Sequence, residues 1–128
     1  MAKGINVEVF PKGAPPRNSR FENNIFYFEG PGSWGSAPEQ AGSVFDNNVY
    51  FNIGKHPTDV NPKLGDPRFV DPGKAGVNID MRTRENLKGY RLGANSPYLE
   101  GATPIQNNGG QNILGEPLDP NKHRYGAF

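Results

Sequence analysis

The sequence predicts an all-β fold made of short strand-turn-strand units that stack on one another. Residues 21–28 and 45–52 repeat one pattern at an offset of 45 − 21 = 24: an aromatic residue, an acid, Asn-Asn, and then β-branched and aromatic residues. A repeat of that length is typical of a solenoid, in which each unit buries its apolar side against the next. The β-branched and aromatic run after each Asn-Asn pair favours strands over helices.

The composition agrees with a loop-rich β domain. The 128 residues include 17 glycines and 13 prolines, and eight Phe, five Tyr and one Trp stand in short runs between the turns. That spacing favours an ordered all-β domain over a disordered one. The net charge is +1 and no run of like charges is present, so neither nucleic acid nor a membrane is indicated as a partner.

The sequence excludes cysteine chemistry and a membrane span, and it leaves the location of the protein open. The absence of cysteine excludes thiol nucleophiles and zinc sites of the Cys-His type. No apolar stretch approaches the ~20 residues of a membrane span. The start at Met1 has no apolar core like that of a signal peptide, so we expect either a cytoplasmic protein or a piece of a longer exported protein.

The elements follow in order along the sequence. Residues 5–10 alternate apolar and polar side chains, which predicts a first strand. In both copies of the repeat, residues 21–28 and 45–52, the Asn-Asn step predicts a sharp turn with one asparagine in the left-handed region. Alternation after the first turn then directs Ile25 and Tyr27 to one face and Phe26 and Phe28 to the other. Phe69 follows Phe45 at the same offset, 69 − 45 = 24, and is predicted to begin a third unit.

An ordered set of motifs carries a resemblance to a known family. The motifs are Asn-Asn-Ile-Phe-Tyr, Phe-Asp-Asn-Asn-Val-Tyr, Asp-Pro-Arg-Phe-Val-Asp-Pro, Gly-Tyr-Arg-Leu, Ser-Pro-Tyr-Leu, Asn-Asn-Gly-Gly and Gly-Glu-Pro-Leu. In this order they resemble the carboxy-terminal coils of bacterial right-handed parallel β-helix proteins, many of which are secreted glycoside hydrolases or polysaccharide lyases. The resemblance implies a short solenoid of about four coils with a carboxy-terminal tail.

The resemblance also implies an organisation and a role. Residues 1–128 would form one β-helix segment, with a strand, cap and linker at 1–19, coils at 20–104 and a tail or cap at 105–128. The protein would be a carbohydrate-interacting segment of a secreted or cell-surface polysaccharide-active protein. Its partner would be a polysaccharide or oligosaccharide, with upstream coils or a second copy as further candidates. The alternative is a non-catalytic structural cap or subunit of a larger β-helix protein.

Two acids are candidates for catalysis. Glu22 and Asp46 each precede an Asn-Asn pair, so stacking of the two copies places them about 4.8 Å apart along the stack. Carboxylates at about that separation are the nucleophile and the acid/base of a retaining glycosidase, and their proximity would split their pKa values. The alternative is that both acids cap the turn and face solvent.

Aromatic residues are candidates for carbohydrate binding. Phe26, Phe28 and Tyr50 share one predicted face, and Trp34 lies on the glycine-rich loop that follows the first copy. Flat aromatic faces pack against sugar rings while polar neighbours bond the hydroxyls. The alternative is that these aromatic residues form the core.

No cofactor is indicated by a motif, although calcium stays open as a ligand. Four aspartates in loops, Asp59, Asp66, Asp71 and Asp80, supply oxygen atoms of the kind calcium prefers, but without the spacing of an EF-hand. Aspartate in such loops commonly just shapes turns. The sequence therefore predicts no metal site with assigned ligands.

Overall fold

The computed structural model of the protein describes residues 5–7, 17–34, 42–73 and 84–128. The protein divides into two compact units, Met1–Gly65, called unit 1 here, and Asp66–Phe128, called unit 2.

Unit 1 is built from short parallel strands. The strand bounds are Ile5–Val7 for β1, Arg20–Glu22 for β2, Ile25–Trp34 for β3, Val44–Asp46 for β4, Val49–Ile53 for β5 and Lys63–Leu64 for β6. A four-stranded sheet has the order β1-β3-β5-β6, and β2 and β4 form a second sheet of two strands. Neighbouring strands run parallel in both sheets.

The repeated Asn-Asn step forms the predicted turn in both copies. Asn23 has a φ of 58° and Asn47 a φ of 57°, which places both in the left-handed region that asparagine tolerates well. The turn joins β2 to β3 in the first copy and β4 to β5 in the second. The predicted register of the two copies is confirmed, because Phe21 lies beside Phe45 and Phe26 beside Tyr50.

The predicted right-handed parallel β-helix of about four coils is wrong. The described residues form two small parallel sheets and neither a closed sheet nor a solenoid. After the second copy the offset falls from 24 to 14 (59 − 45), because Asp59 and not Phe69 lies beside Phe45. Phe69, predicted to begin a third unit, instead bridges Leu92 in the antiparallel sense.

The sequence around Phe69 explains why the stack ends there. Phe69 and Val70 lie between Pro67 and Pro72, and no third Asn-Asn pair precedes them. Proline has no N–H to donate to a neighbouring strand, and it restricts the residue before it to extended backbone. The aromatic residue therefore recurs at the right spacing without the Asn-Asn turn of the two copies, and the backbone N–H groups of Val70 and Asp71 donate instead to Arg91 O and Gly89 O.

Unit 2 contains little regular structure. A 3-10 helix covers Arg84–Tyr90, within the segment 20–104 that was predicted to form coils. Tyr98, Ala102 and Tyr125 are buried, and the two tyrosine rings meet edge to face at 5.5 Å between centroids.

Side chains shape the backbone of unit 2 locally. At five places among the described residues of unit 2, a side-chain oxygen accepts a hydrogen bond from the backbone N–H two residues further on, the arrangement of an Asx or Ser/Thr turn. The acceptors are Asp66, Ser96, Asn108, Asn112 and Asp119.

Candidate functional site

Two rows of asparagine side chains connect the repeat units of unit 1. In the first row, the Asn47 amide donates to Asn23 Oδ1 at 3.0 Å. In the second row, the Asn24 amide donates to Asn48 Oδ1 at 2.9 Å, and the backbone N–H of Asn24 donates to the same oxygen. Asn48 has no exposed surface, so these hydrogen bonds satisfy polar groups that water does not reach. The amides of the repeat are thus committed to the fold.

Asp59 ends the second row. Its Oδ2 accepts hydrogen bonds from the Asn48 amide at 2.7 Å and from the Tyr50 hydroxyl at 2.9 Å. The backbone N–H of Asn48 donates to Oδ2, and those of Asn47 and Asn61 donate to Oδ1. Five donors therefore converge on one carboxylate, and each of these hydrogen bonds is strengthened by the charge of the acceptor.

The structure brings the two predicted catalytic acids into register. Glu22 and Asp46 lie directly beside each other on β2 and β4. Glu22 Oε1 forms an ion pair with Arg20 Nη2 at 2.6 Å, and Asp46 Oδ1 accepts from the Asn61 amide at 3.0 Å. Each carboxylate thus has a partner of its own, and their assignment as a catalytic pair stays a prediction.

The ion pair sets the protonation of Glu22. The hydrogen bond and the positive charge of Arg20 together hold the pKa of Glu22 below its ordinary value of 4.5. A retaining acid/base needs the opposite shift, because it must carry a proton near neutral pH. Glu22 is therefore ionised at neutral pH.

The predicted aromatic binding residues lie mostly in the core of unit 1. Trp34 and Tyr50 are buried, and Phe26 is half-buried against them. The Phe26 ring stacks on Tyr50 at 5.3 Å, and Trp34 meets both rings edge to face. His56 also stacks on Tyr50, at 4.5 Å between centroids, so the Tyr50 ring is enclosed by other side chains.

Phe28, the fourth predicted binding residue, is half-buried on the same strand as Phe26. Its ring covers the backbone at Gly32, where a Cβ would come within 1.7 Å of the ring. Only glycine fits at that position of β3. The Phe28 ring is therefore occupied on one side by the strand that carries it.

A second aromatic pair lies on the opposite face of the four-stranded sheet. Tyr27 and Phe51 are neighbours across β3 and β5, and their rings stack at 5.3 Å with an angle of 14° between the planes. Both side chains are half-buried. On the β6 side of Phe51 the backbone passes from Leu64 to Gly65, which has no side chain to cover the ring.

Within residues 5–7, 17–34, 42–73 and 84–128, no group of three or more His, Cys, Asp or Glu side chains could hold a metal ion. Of the four aspartates considered for calcium, Asp59 is committed to internal hydrogen bonds, and Asp80 lies outside the described residues. In the same part of the sequence, no helix is long and apolar enough to cross a membrane.

No protein-family model matches the sequence, and no curated protein matches it. The resemblance to β-helix carbohydrate-active proteins therefore stays a prediction about kinship, while the solenoid that it implied is wrong for the described residues.

The sequence did not identify two features of the site, the open aromatic pair and the role of Asp59. The repeat pairs Tyr27 with Phe51 as it pairs Phe26 with Tyr50, and only burial shows which pair is partly open to solvent. The central role of Asp59 had no signal in the repeat, because Asp59 follows Phe45 at an offset of 59 − 45 = 14 and not at 24.

Proposed function

We propose that unit 1 binds carbohydrate, without catalysis, on the sheet face that carries Tyr27 and Phe51. The proposal rests on the surroundings of the Phe51 ring. One face of the ring stacks on Tyr27, and the next residue of the neighbouring chain segment, after Leu64 of β6, is Gly65, which has no side chain. Among the described residues, Tyr27 is the only ring that contacts Phe51.

A half-exposed aromatic ring of this kind suits a sugar. The axial hydrogens of a pyranose pack against an aromatic face, and nearby polar groups fix the orientation of the sugar through its hydroxyls. Lys63 lies beside Val49 on β6 and so shares the face of Phe51, since registered side chains of parallel strands point the same way. An ammonium on that face can donate to a hydroxyl of a bound sugar, which supports the proposal.

The proposed role belongs outside the cell or at its surface, where polysaccharides are exposed. The predicted acid pair has no part in the proposal, because Glu22 is held by Arg20 and Asp46 by Asn61. Absence of glycoside hydrolysis by the original protein would agree with a purely binding role, whereas hydrolysis that is lost in Glu22→Gln or Asp46→Asn would contradict it.

The test is binding of the full protein to a panel of immobilised glycans, compared with the Phe51→Leu variant. Leucine keeps an apolar side chain but removes the flat ring, so binding should weaken about tenfold, which is about 1.4 kcal/mol. The Phe51→Tyr variant keeps the ring and should bind like the original protein. Thermal unfolding of each variant separates a binding defect from a folding defect.

Two results would overturn the proposal. One is a folded protein that binds no glycan on the panel. The other is a Phe51→Leu variant that binds as tightly as the original protein.

A second candidate is a structural module that has no ligand. It is favoured by the asparagine rows, because the amides of Asn24, Asn47 and Asn48 and the carboxylate of Asp59 all bond within unit 1. A stable fold with no glycan binding would select this candidate over the first.

A further inference from the structure

The turn at residues 107–110 of unit 2 combines exposure with unusual backbone geometry. Asn107, Gly109 and Gly110 have φ values of 57°, 84° and 69°, all in the left-handed region. All four residues are exposed, and a Cβ added at Gly109 or Gly110 would meet nothing within 4 Å. The side chain of Asn108 therefore stands in solvent, next to a backbone that no neighbouring group shields.

Asn108 is the one asparagine of the sequence that glycine follows. The absence of a Cβ on the following residue matters because it lets the backbone nitrogen approach the asparagine side chain closely. Asn24 and Asn48 differ in both respects, since their amides bond within the asparagine row and a larger residue follows each of them.

One hydrogen bond at this turn favours reaction at the Asn108 amide. The backbone N–H of Gly110 donates to Asn108 Oδ1 at 2.9 Å. A donor on a carbonyl oxygen draws electron density from the carbon and stabilises the negative charge that develops there when a nucleophile adds. The turn thus supplies a fixed oxyanion donor at the carbon under attack.

We propose that Asn108 is a site of spontaneous covalent modification, in which water converts its amide to a carboxylate through a cyclic imide. The Gly109 nitrogen loses its proton to solvent base and attacks Asn108 Cγ, forming a new bond between them. The bond between Cγ and Nδ2 then breaks, and Nδ2 leaves as ammonia. Water next opens the imide at one of its two carbonyl carbons, giving aspartate or isoaspartate, and no oxidant or reductant takes part.

The product differs from the starting protein in charge and in backbone length. A new carboxylate reduces the net charge from +1 to 0. Isoaspartate also adds one carbon to the backbone path at residue 108, which displaces the Gly110 N–H from its acceptor. Gly110 O accepts from the Leu118 N–H, next to an antiparallel bridge between Gln111 and Pro117, so the change loosens this pairing.

The test is incubation of the full folded protein at mildly alkaline pH, followed by peptide mapping and enzymatic methylation of isoaspartate. The peptide with Asn108 should gain the mass that replaces NH₂ by OH, while those with Asn24 and Asn48 stay unchanged. The rate should rise with pH, because the Gly109 nitrogen attacks after losing its proton.

Two variants keep the test decisive. Asn108→Gln should abolish the change at this position, because the longer side chain would have to close a larger ring. Gly109→Ala should slow it about tenfold or more, because the added Cβ hinders approach of the nitrogen. Equal rates at Asn108 and Asn48, or an unchanged rate in Gly109→Ala, would overturn the proposal.

Discussion

Units 1 and 2 are of similar length, but the contacts within each unit join residues at different separations along the sequence. In unit 1, hydrogen bonds and ring stacks join positions 24 apart, as between Asn24 and Asn48. In unit 2, the recurring contact joins a side chain to the backbone two positions on, as between Asn108 and Gly110. Unit 2 also has long-range hydrogen bonds, such as the one from the Ala102 N–H to His123 O, but the repeat gives unit 1 one constant offset between paired positions and unit 2 has no such repeat.

The largest expected effect comes from the core of unit 1. Phe45 is 1% exposed, stacks on Phe21 and meets Trp34 edge to face. Phe45→Ala should lower the free energy of unfolding of unit 1 by about 3–5 kcal/mol, since a cavity forms where a ring was packed.

Amide hydrogen exchange measures this effect separately in the two units. The amide of Val49, which donates to Asn24 O, should lose protection, whereas the amide of Ala102 in unit 2 should keep it. Equal loss of protection in both units would contradict the comparison.

An intermediate effect is expected at Asp59. Asp59→Asn keeps the size of the side chain but replaces one accepting oxygen by an NH₂ group, which then faces donors. Unfolding of unit 1 should become easier by about 2–3 kcal/mol, because hydrogen bonds to a charged acceptor are lost and donors are left unsatisfied. Urea unfolding with residue-resolved detection measures the difference.

Asp119→Asn in unit 2 is the matched control for Asp59→Asn. Asp119 is exposed, and its side chain accepts a hydrogen bond from the Asn121 N–H, which an asparagine oxygen can still accept. Its effect in urea unfolding should stay below about 0.5 kcal/mol, as for exposed substitutions in general. If the two variants behaved alike, the five hydrogen bonds that converge on Asp59 would not contribute to the stability of unit 1.

The smallest expected effect is on how the stability of each unit changes at acidic pH. The pKa of Glu22 in unit 1 is lowered by Arg20, and that of Glu116 in unit 2 is lowered by Asn112 and then by Arg91. A lowered pKa contributes stability that is present above the ordinary value of 4.5 and is lost as the pH falls from there through the folded-state pKa.

Arg20→Gln should therefore reduce the acid sensitivity of unit 1 and leave that of unit 2 unchanged. The change will be small, because solvent screens the charges of both ion pairs. Thermal unfolding as a function of pH, with residue-resolved detection in each unit, measures it. A larger acid sensitivity of unit 1 in Arg20→Gln would show that the sign is wrong.

The sequence predicts which strands of the repeat pair better than it predicts how many units stack. The Asn-Asn turns and the registers of Phe21 with Phe45 and Phe26 with Tyr50 follow from a repeated pattern, because identical turns impose identical strand starts. The same pattern extended to Phe69 fails, because spacing alone carries no information about turns or donors. Phe69 has the right distance from Phe45 but no Asn-Asn turn beside it, and its backbone pairs with Leu92 instead.

The candidate site shows the same division. The neighbourhood of Glu22 and Asp46 is predictable from the offset, but their separate partners Arg20 and Asn61 are not. Arg20 reaches Glu22 along the same strand, and Asn61 comes from a loop that lies outside the repeat. Likewise, alternation separates the faces of Phe26 and Tyr27 without showing which face the rest of the protein covers.

The second asparagine row has a direction, which follows from the chemistry of its members. An amide both donates and accepts, so Asn24 can pass a hydrogen bond to Asn48, and Asn48 can pass one to Asp59. An ionised carboxylate has no proton to give, so no hydrogen bond is donated beyond Asp59. The row therefore has one direction, because each amide donates toward Asp59 and the row ends at an acceptor that has no proton to donate.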